Sequence, residues 1–246
     1  MATLYIVGTP IGNLEDVTLR ALRVLKEADV ILCEDTRVTK RLLDKYEIGA
    51  KQLTTYNEQR SGITAGKVIG WLEEGKIVAL VSDAGTPGIS DPGSMLVQKV
   101  REHLQSDKVQ PARSDLKSER RSDLVEPCRI EVVPGASALT AALSVAGVPV
   151  HDFVFLGFLP HKKGRETLFK EIATSERTVI FYESPHRILK ALESLEKFAP
   201  GKRVTIAREL TKIHEEIKSG TPSELLDFFK TNEEKVRGEF VVIVTP

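Results

Sequence analysis

Residues 5–16, YIVGTPIGNLED, run from a short apolar segment directly into glycine and proline and then into the start of an amphipathic segment. This order is typical of a buried β-strand that ends in a ligand-binding loop and continues into a helix. Gly8 and Gly12 do not have the spacing of a dinucleotide-binding fingerprint or of a P-loop. The stretch therefore favours an α/β fold, and it leaves open which ligand the loop binds.

Apolar runs rich in Val, Ile and Leu alternate with helical patterns along the rest of the chain. This alternation indicates βαβ units and a parallel sheet rather than a sandwich. We predict strands at residues 3–8, 29–34, 52–56, 76–82, 129–134, 153–158, 177–182, 203–208 and 239–244. In the second half we expect helices near residues 164–174, 185–197 and 222–229.

The first helix is predicted between the first two strands. There Val17, Ala21, Val24 and Ala28 fall on one face at helical spacing, and Asp16 is the expected N-cap. Two strands joined by such a helix form one βαβ unit.

A Gly-Val-Pro break ends a later helical pattern just before a new apolar run begins, so we expect two domains, residues 1–149 and residues 150–246. Within the first, residues 104–128 are rich in Ser, Asp, Arg and Lys and poor in large apolar side chains. We interpret them as a mobile surface insertion. The alternative is an arm that binds RNA through Arg120 and Arg121, which the nearby acidic residues disfavour.

Charge and composition narrow the classes of partner. Lys plus Arg equals Asp plus Glu at 35 each, so a nucleic-acid contact must be a local patch rather than the whole surface. No apolar run is long enough to span a membrane and the N-terminus shows no leader, so we expect a cytoplasmic protein without a membrane partner. The histidines and cysteines share no metal-ligand spacing, so no metal is expected.

Three loops that follow predicted strands are unusually rich in glycine and proline. They are GTPIGN (8–13), SDAGTPGISDPG (82–93) and VPGASA (133–138). In an open parallel sheet, ligands bind where loops leave the carboxyl ends of the strands. Proline stiffens such a loop and removes N–H donors, which favours a nucleoside-like ligand without phosphate. The alternative is that each loop is an ordinary tight turn.

The tetrapeptide EDTR, residues 34–37, ends the second predicted strand. It is expected to present two carboxylates, those of Glu34 and Asp35, and the Arg37 guanidinium at the same edge of the sheet as the loops. The alternative is a solvent-exposed helix start that is capped by Asp35 or Thr36.

Together these motifs resemble a known family. They are similar to segments of the tetrapyrrole-methylase superfamily of S-adenosylmethionine (SAM) enzymes, and the matching segments are GTPIGNLEDVTLRAL, ADVILCEDTR, SDAGTPGISDPG, VPGASA, GFLPHKKGR, FYESPHR and ARELTK. Within the superfamily they resemble the branch that 2′-O-methylates a cytidine of bacterial 16S ribosomal RNA. The resemblance covers nearly the whole chain. It implies a homodimer of two-domain α/β subunits, with a mostly parallel N-terminal sheet, a smaller C-terminal domain of mixed sheet, and SAM in the cleft between the domains.

The resemblance also implies which residues bind SAM. In the first domain they are Pro10, Asp83, Ala84, Gly85, Pro87, Ile89, Ser137 and Ala138. In the second domain, by a looser match, they are Tyr182, Ala207 and Arg208.

Methylation of a ribose hydroxyl requires in-line attack on the methyl group, and a base helps to remove the hydroxyl proton. Candidates for the catalytic groups are Glu34, Asp35 and Arg37, with Glu183 and Glu209 as rival bases. Side chains expected to bind the RNA substrate are Lys40, Arg41, Lys162, Lys163, Arg165, His186 and Arg187, with Arg208 as a further candidate. A flipped base is expected to stack on Tyr56 or Tyr182, and the equal alternative is that either tyrosine packs in the core.

Three functions remain open at this point. The first is 2′-O-methylation of 16S rRNA, within the 30S subunit. The second is SAM-dependent C-methylation of a corrinoid or porphyrin precursor, which predicts a wider and less basic cleft. The third is a non-catalytic nucleoside-binding module, which predicts a pocket without carboxylates at its mouth. A local basic patch on a neutral protein favours the first.

Overall fold

The computed structural model describes residues 1–49, 51–57, 61–106, 128–148 and 150–246. The strands are β1 (Thr3–Val7), β2 (Val30–Cys33), β3 (Gln52–Thr55), β4 (Ile77–Val81), β5 (Arg129–Val133), β6 (Phe153–Phe158), β7 (Thr178–Glu183), β8 (Arg203–Arg208), β9 (Glu216–Gly220) and β10 (Phe240–Thr245). The helices are α1 (Leu19–Glu27), α2 (Thr36–Lys45), α3 (Ser61–Glu73), α4 (Ser94–Gln105), α5 (Ala138–Val145), α6 (Arg165–Thr174), α7 (Ile188–Phe198) and α8 (Pro222–Thr231). Most of the polar insertion predicted at 104–128, with Arg120 and Arg121, lies outside the described residues.

The described residues form two compact units. The first consists of Met1–Pro10 and Leu14–Ala136, and the second of Ile11–Asn13 and Ser137–Pro246. Contacts therefore group α5 with the second unit, where it packs against β10, whereas the sequence puts the domain boundary at 149/150. The domain limits stay a prediction, because compact units and folding domains are different things. Within the described ranges, no helix has both the length and the apolar character needed to cross a bilayer.

The first unit is a parallel sheet in the order β3-β2-β4-β1-β5. Alternate residues of β2 pack into two apolar clusters: Val30 and Leu32 into one, Ile31 and Cys33 into the other. A strand that is buried in this way on both faces is expected to be a continuous apolar run, and VILC is such a run. The five predicted strands of this half are confirmed.

Helix α1 begins two residues later than predicted. Thr18 is its N-cap, and the Thr18 hydroxyl accepts a hydrogen bond from the Ala21 backbone N–H at 3.0 Å. Asp16 instead ends a short 3-10 turn, Leu14–Asp16, so its prediction as the cap is wrong. The predicted apolar face is correct at Ala21 and Val24, which are fully buried.

The second unit is a mixed sheet in the order β6-β7-β10-β8-β9. Strand β6 is parallel to β7, and the other pairs are antiparallel. Helices α6, α7 and α8 cover the sheet with a core that includes Phe169, Phe181, Leu192, Phe229 and Phe240. Strand β9 was not predicted, because its sequence, EIKSG, is polar at an exposed sheet edge.

Candidate functional site

The loop after β1 and the loop after β4 are joined by a short antiparallel bridge. The Thr9 N–H donates to the Gly85 carbonyl at 2.8 Å, and the Gly85 N–H donates to the Thr9 carbonyl at 3.1 Å. The Thr9 hydroxyl also donates to the Ser82 carbonyl at 3.1 Å. These bonds are possible because β4 and β1 are neighbours in the sheet. The two loops therefore form one continuous surface at the carboxyl ends of the strands.

The loop after β5 joins the same surface through a pair of glycines. A Cβ on Gly8 would lie 2.7 Å from the Gly135 nitrogen, and a Cβ on Gly135 would lie 2.7 Å from the Gly8 oxygen. Neither distance leaves room for a side chain, so glycine is required at both positions. The Thr86 hydroxyl adds a hydrogen bond to the Ala136 carbonyl at 3.4 Å. The predicted convergence of the three loops is thus observed within the first unit.

The loop after β4 owes its shape to glycines with positive φ. Gly85 and Gly88 both have φ of +84°, a conformation that side-chain-bearing residues rarely adopt. The loop buries Pro87 and leaves Asp83 and Ile89 exposed. The glycines therefore fix the backbone shape of this loop, and Asp83 and Ile89 are among the side chains that it exposes to solvent.

A cavity lies between this loop, the loop after β1 and helix α2. Its walls mix apolar side chains with hydroxyls and one carboxylate. The lining residues are Thr9, Pro10, Leu14, Val38, Thr39, Leu42, Val81, Ser82 and Asp83. A lining of this kind suits a small ligand that has both apolar and polar parts.

Three carboxylates lie next to one another at the rim of this cavity. The Asp83 N–H donates to Glu34 Oε1 at 3.3 Å, and the Asp35 N–H donates to Asp83 Oδ1 at 3.0 Å. Burial raises the pKa of Glu34, the Asp83 carboxylate raises it further, and the Asp83 N–H opposes both. The Glu34 carboxylate is consequently more basic than that of an ordinary glutamate.

Asp35 plays two structural roles. Its carboxylate accepts from the Arg37 N–H at 2.8 Å as the N-cap of α2, and it forms a double hydrogen bond with the Arg37 guanidinium, the shorter at 2.6 Å. These bonds lower the pKa of Asp35 to about 2. The capping interpretation of EDTR is therefore confirmed, since Asp35 is the N-cap, and the catalytic interpretation stays a prediction. An acid so firmly ionised is a poor base at neutral pH.

The basic residues of α2 are exposed. The Arg37 side chain is 85% exposed. Lys40 forms an ion pair with Asp44 at 2.9 Å, whereas Arg41 one residue later is exposed without a recorded ion pair among the described residues. Arg41 is therefore less engaged by neighbouring acids than Lys40 or than Arg37, which pairs with Asp35.

In the second unit, the predicted substrate residues Arg165 and Arg187 are engaged inside the protein. Both bind the fully buried carboxylate of Glu183, at 2.7 Å from Arg165 Nη2 and 2.8 Å from Arg187 Nε. The two guanidiniums also donate to the Pro160 and Leu159 carbonyls. Glu183 thus fixes the β6–α6 loop to the start of α7. Both carboxylate oxygens of Glu183 are therefore engaged, and of this set Lys162, Lys163 and His186 are the exposed side chains.

The remaining predicted residues of the second unit are held by their neighbours. The Tyr182 hydroxyl accepts from the Leu139 N–H at 3.1 Å, and its ring packs edge-on against Phe155 and Phe158. Ala207 is 1% and Arg208 8% exposed, and Arg208 pairs with Glu216 at 3.5 Å. Ser137 and Ala138 are half-buried at the start of α5.

Glu209 has a positive φ of 51° and a fixed carboxylate. Its partial burial raises the pKa, but the hydrogen bonds from Lys212 Nζ at 2.9 Å and from the Glu239 N–H at 3.1 Å outweigh this and lower it. Tyr56 is fully buried in the core of the first unit, which confirms the alternative of core packing over stacking on a base. Among the described residues, no three potential metal ligands lie together, and the absence of a metal stays a prediction.

Sequence reasoning missed Thr9 and Thr86, whose hydroxyls join the three loops. Both threonines lie in loops that the sequence marks as unusual. Their spacing in the sequence does not show that these loops are in contact, so the sequence alone could not predict the hydrogen bonds. It also missed the buried carboxylate of Glu183 as the partner of two arginines.

Comparison with known proteins gives one consistent relationship. A family model described as Tetrapyrrole (Corrin/Porphyrin) Methylases matches residues 3–111 and 118–226. Ribosomal RNA small subunit methyltransferase I of Thermotoga maritima is 42% identical over 246 residues, which cover 100% of this chain and 99% of that protein. The protein of the same name from Neisseria meningitidis serogroup B is 43% identical over 247 residues, covering 99% of this chain and 76% of that protein.

Solved structures share the fold. The methyltransferase CobJ superposes with a TM-score of 0.66 at 22% identity and covers 100% of this chain and 94% of that chain. Uroporphyrin-III C-methyltransferase from Thermus thermophilus, complexed with S-adenyl homocysteine, gives 0.61 at 16% identity and covers 100% of this chain and 97% of that chain. At these identities the likeness concerns the fold alone.

Proposed function

Because this chain belongs to the tetrapyrrole methylase family, we propose that it is a SAM-dependent methyltransferase that modifies the 2′-hydroxyl of a cytidine in 16S ribosomal RNA. The observation that carries the proposal is 42% identity over the whole chain to a small-subunit ribosomal RNA methyltransferase. The site adds chemical support, since a mixed cavity, carboxylates and exposed arginines occur together in the first unit.

The lining of the cavity has chemistry that SAM can use. Leu14, Val38 and Leu42 supply apolar surface for contact with part of the ligand, and the Asp83 carboxylate is an acceptor for a hydroxyl or ammonium group. Because Gly8 and Gly135 bring the loops into direct contact, the loops form one surface against which a ligand can lie. The full set of residues that we assign to SAM is Pro10, Asp83, Ala84, Gly85, Pro87, Ile89, Ser137, Ala138, Tyr182, Ala207 and Arg208.

SAM, when bound, supplies an electrophilic methyl group on a sulfonium. The chain's own residues then have two tasks, which are to hold the ribose hydroxyl in line and to accept its proton. Glu34 is the preferred acceptor, since its pKa is raised and its carboxylate lies beside Asp83. Arg37 and Arg41 bind RNA phosphates, with Lys40, Lys162, Lys163 and His186 as further contacts.

We also propose that the enzyme acts in the cytoplasm as a homodimer, without metal, on 16S rRNA within the 30S subunit. A ribosomal subunit exposes only part of its RNA, so a neutral protein with a local cationic patch is suited to it.

The test is methyl transfer from labelled SAM to 30S subunits, to naked 16S rRNA and to a tetrapyrrole precursor, assayed in parallel. We expect label in the RNA of the 30S sample. Label that appears in the macrocycle alone would refute the proposal and favour C-methylation. As internal variants, Asp83→Ala is expected to weaken SAM binding, whereas Arg37→Ala is expected to reduce turnover on RNA with SAM affinity retained. Unchanged activity in both would show that the site is elsewhere.

A further inference from the structure

A groove between α6 and α7 in the second unit has the charge of a nucleic-acid surface. Its lining contains four basic side chains and two acidic ones. The lining residues are Lys162, Arg165, Glu166, Phe169, Lys190, Glu193, Ser194, Lys197 and Phe198. The protein as a whole has a formal charge of zero, so this groove departs from the average of its surface.

The groove's charge is not cancelled by ion pairs. Glu166 pairs with Lys170 at 2.8 Å, and Glu193 pairs with Lys230 at 3.5 Å, so both acids are matched by lysines that are not among the lining residues. Lys162, Lys190 and Lys197 are exposed and have no recorded ion pair within the described part of the chain. These three ammonium groups therefore give the groove its excess positive charge.

A second groove in the same unit provides an internal comparison. It lies beside Phe228, and its charged lining residues are Lys218, Glu224 and Asp227. Each groove has a phenylalanine with two lysines over the ring: Lys170 and Lys197 over Phe198, and Lys218 and Lys235 over Phe228. The packing is alike, but the charge of the lining is opposite in sign. Only the first groove suits a polyanion.

Helix geometry spaces the free lysines along the groove. Lys190 and Lys197 are seven residues apart in α7, which puts them on one face and about 10.5 Å apart along the axis. The two lysines are therefore far enough apart to contact different phosphates of one RNA strand. Lys162 lies on the opposite side, in the loop that precedes α6.

From these observations we infer that the groove between α6 and α7 binds the sugar-phosphate backbone of the substrate RNA, with Lys162, Lys190 and Lys197 as the phosphate contacts. The inference rests on the proposed function and deepens it, because it gives the second unit a role in holding the RNA. The contacts are to phosphate, so they contribute affinity and orientation but no sequence preference.

The test compares salt-dependent binding of labelled 16S rRNA by the full-length protein and by Lys190→Gln/Lys197→Gln. Each phosphate contact to a single strand contributes about 0.7 to the slope of log affinity against log salt, so the double variant should lose about 1.4. The loss of affinity should therefore be about sevenfold larger at 50 mM than at 200 mM salt. The matched control is Lys26→Gln/Lys218→Gln, which removes two lysines elsewhere and should keep the wild-type slope.

A second pair of variants should act in the opposite direction. Glu166→Gln and Glu193→Gln remove negative charge from the same groove, so each is expected to strengthen RNA binding while SAM affinity, measured by calorimetry, stays unchanged. The inference is overturned if the lysine double variant keeps the wild-type salt slope or loses no more RNA affinity than the control does. It is also overturned if Glu166→Gln or Glu193→Gln weakens RNA binding. If the groove inference fails in one of these ways but the wild-type enzyme methylates 30S subunits, the proposed function still stands. Absence of any RNA binding by the wild type would instead overturn both.

Discussion

Replacement of Glu183 by glutamine tests the buried charge cluster of the second unit. The carboxylate is fully buried and holds two guanidiniums whose side chains are only 13% and 15% exposed. Glu183→Gln keeps the shape but leaves two buried cations without an opposite charge. Removal of one partner from a buried ion pair costs about 3–5 kcal/mol, and the partial exposure of the arginines favours about 3 kcal/mol.

For a chain of this length, a loss of about 3 kcal/mol lowers the melting temperature by roughly 6–12 °C. Far-UV circular dichroism is the appropriate assay, because the single tryptophan, Trp71, lies in the first unit and does not report on the second. The control is Glu166→Gln, which breaks an ion pair between side chains that are 63% and 60% exposed and should leave the melting temperature unchanged. The uncertainty of a measured melting temperature is about 2 °C. A Glu183→Gln protein whose melting temperature lies within about 2 °C of the wild-type value would refute the reasoning.

The remaining predictions concern the first unit. Gly135→Ala should lower both the melting temperature and SAM affinity, because its Cβ would lie 2.7 Å from the Gly8 oxygen. The control is Gly66→Ala, in helix α3, where the new Cβ would have no atom within 4 Å. This variant should instead raise the free energy of unfolding, measured by urea denaturation, by about 0.5–1 kcal/mol. A raised pKa of Glu34 means that the folded state favours the neutral carboxyl over the carboxylate. The contribution of Glu34 to the stability of the folded protein is therefore fully present below the ordinary pKa of 4.5 and is lost as pH rises through the raised pKa. Glu34→Gln should therefore be more stable than the wild type at pH 7 and lose that advantage in acid, and equal differences at both pH values would contradict this.

Much of the fold could be predicted from the sequence because the central strands of the first unit are buried on both faces and must be apolar runs. Strand β9 was missed because an exposed edge strand has no such requirement, and Glu216, Lys218 and Ser219 make its sequence mostly polar. The N-cap of α1 escaped because Asp16 and Thr18 are both good caps and only the local backbone decides between them.

The candidate site divides in the same way. The glycine and proline loops and EDTR lie at sheet ends, so local sequence was sufficient to find them. The contact of Gly8 with Gly135 depends on β5 lying beside β1, which is a property of strand order. The engagement of Arg165 and Arg187 by Glu183 is likewise set by tertiary packing. An arginine in a loop therefore looks like a phosphate contact until its partner in the fold is known.

The most direct test of the account is the chemical position of the transferred methyl group. Labelled 16S rRNA from methylated 30S subunits would be digested with alkali, which cleaves RNA through a free 2′-hydroxyl and leaves the bond after a 2′-O-methylated ribose intact. The account predicts that the label is recovered in one alkali-stable dinucleotide that begins with cytidine. Label in mononucleotides, which indicates methylation of a base, would contradict it.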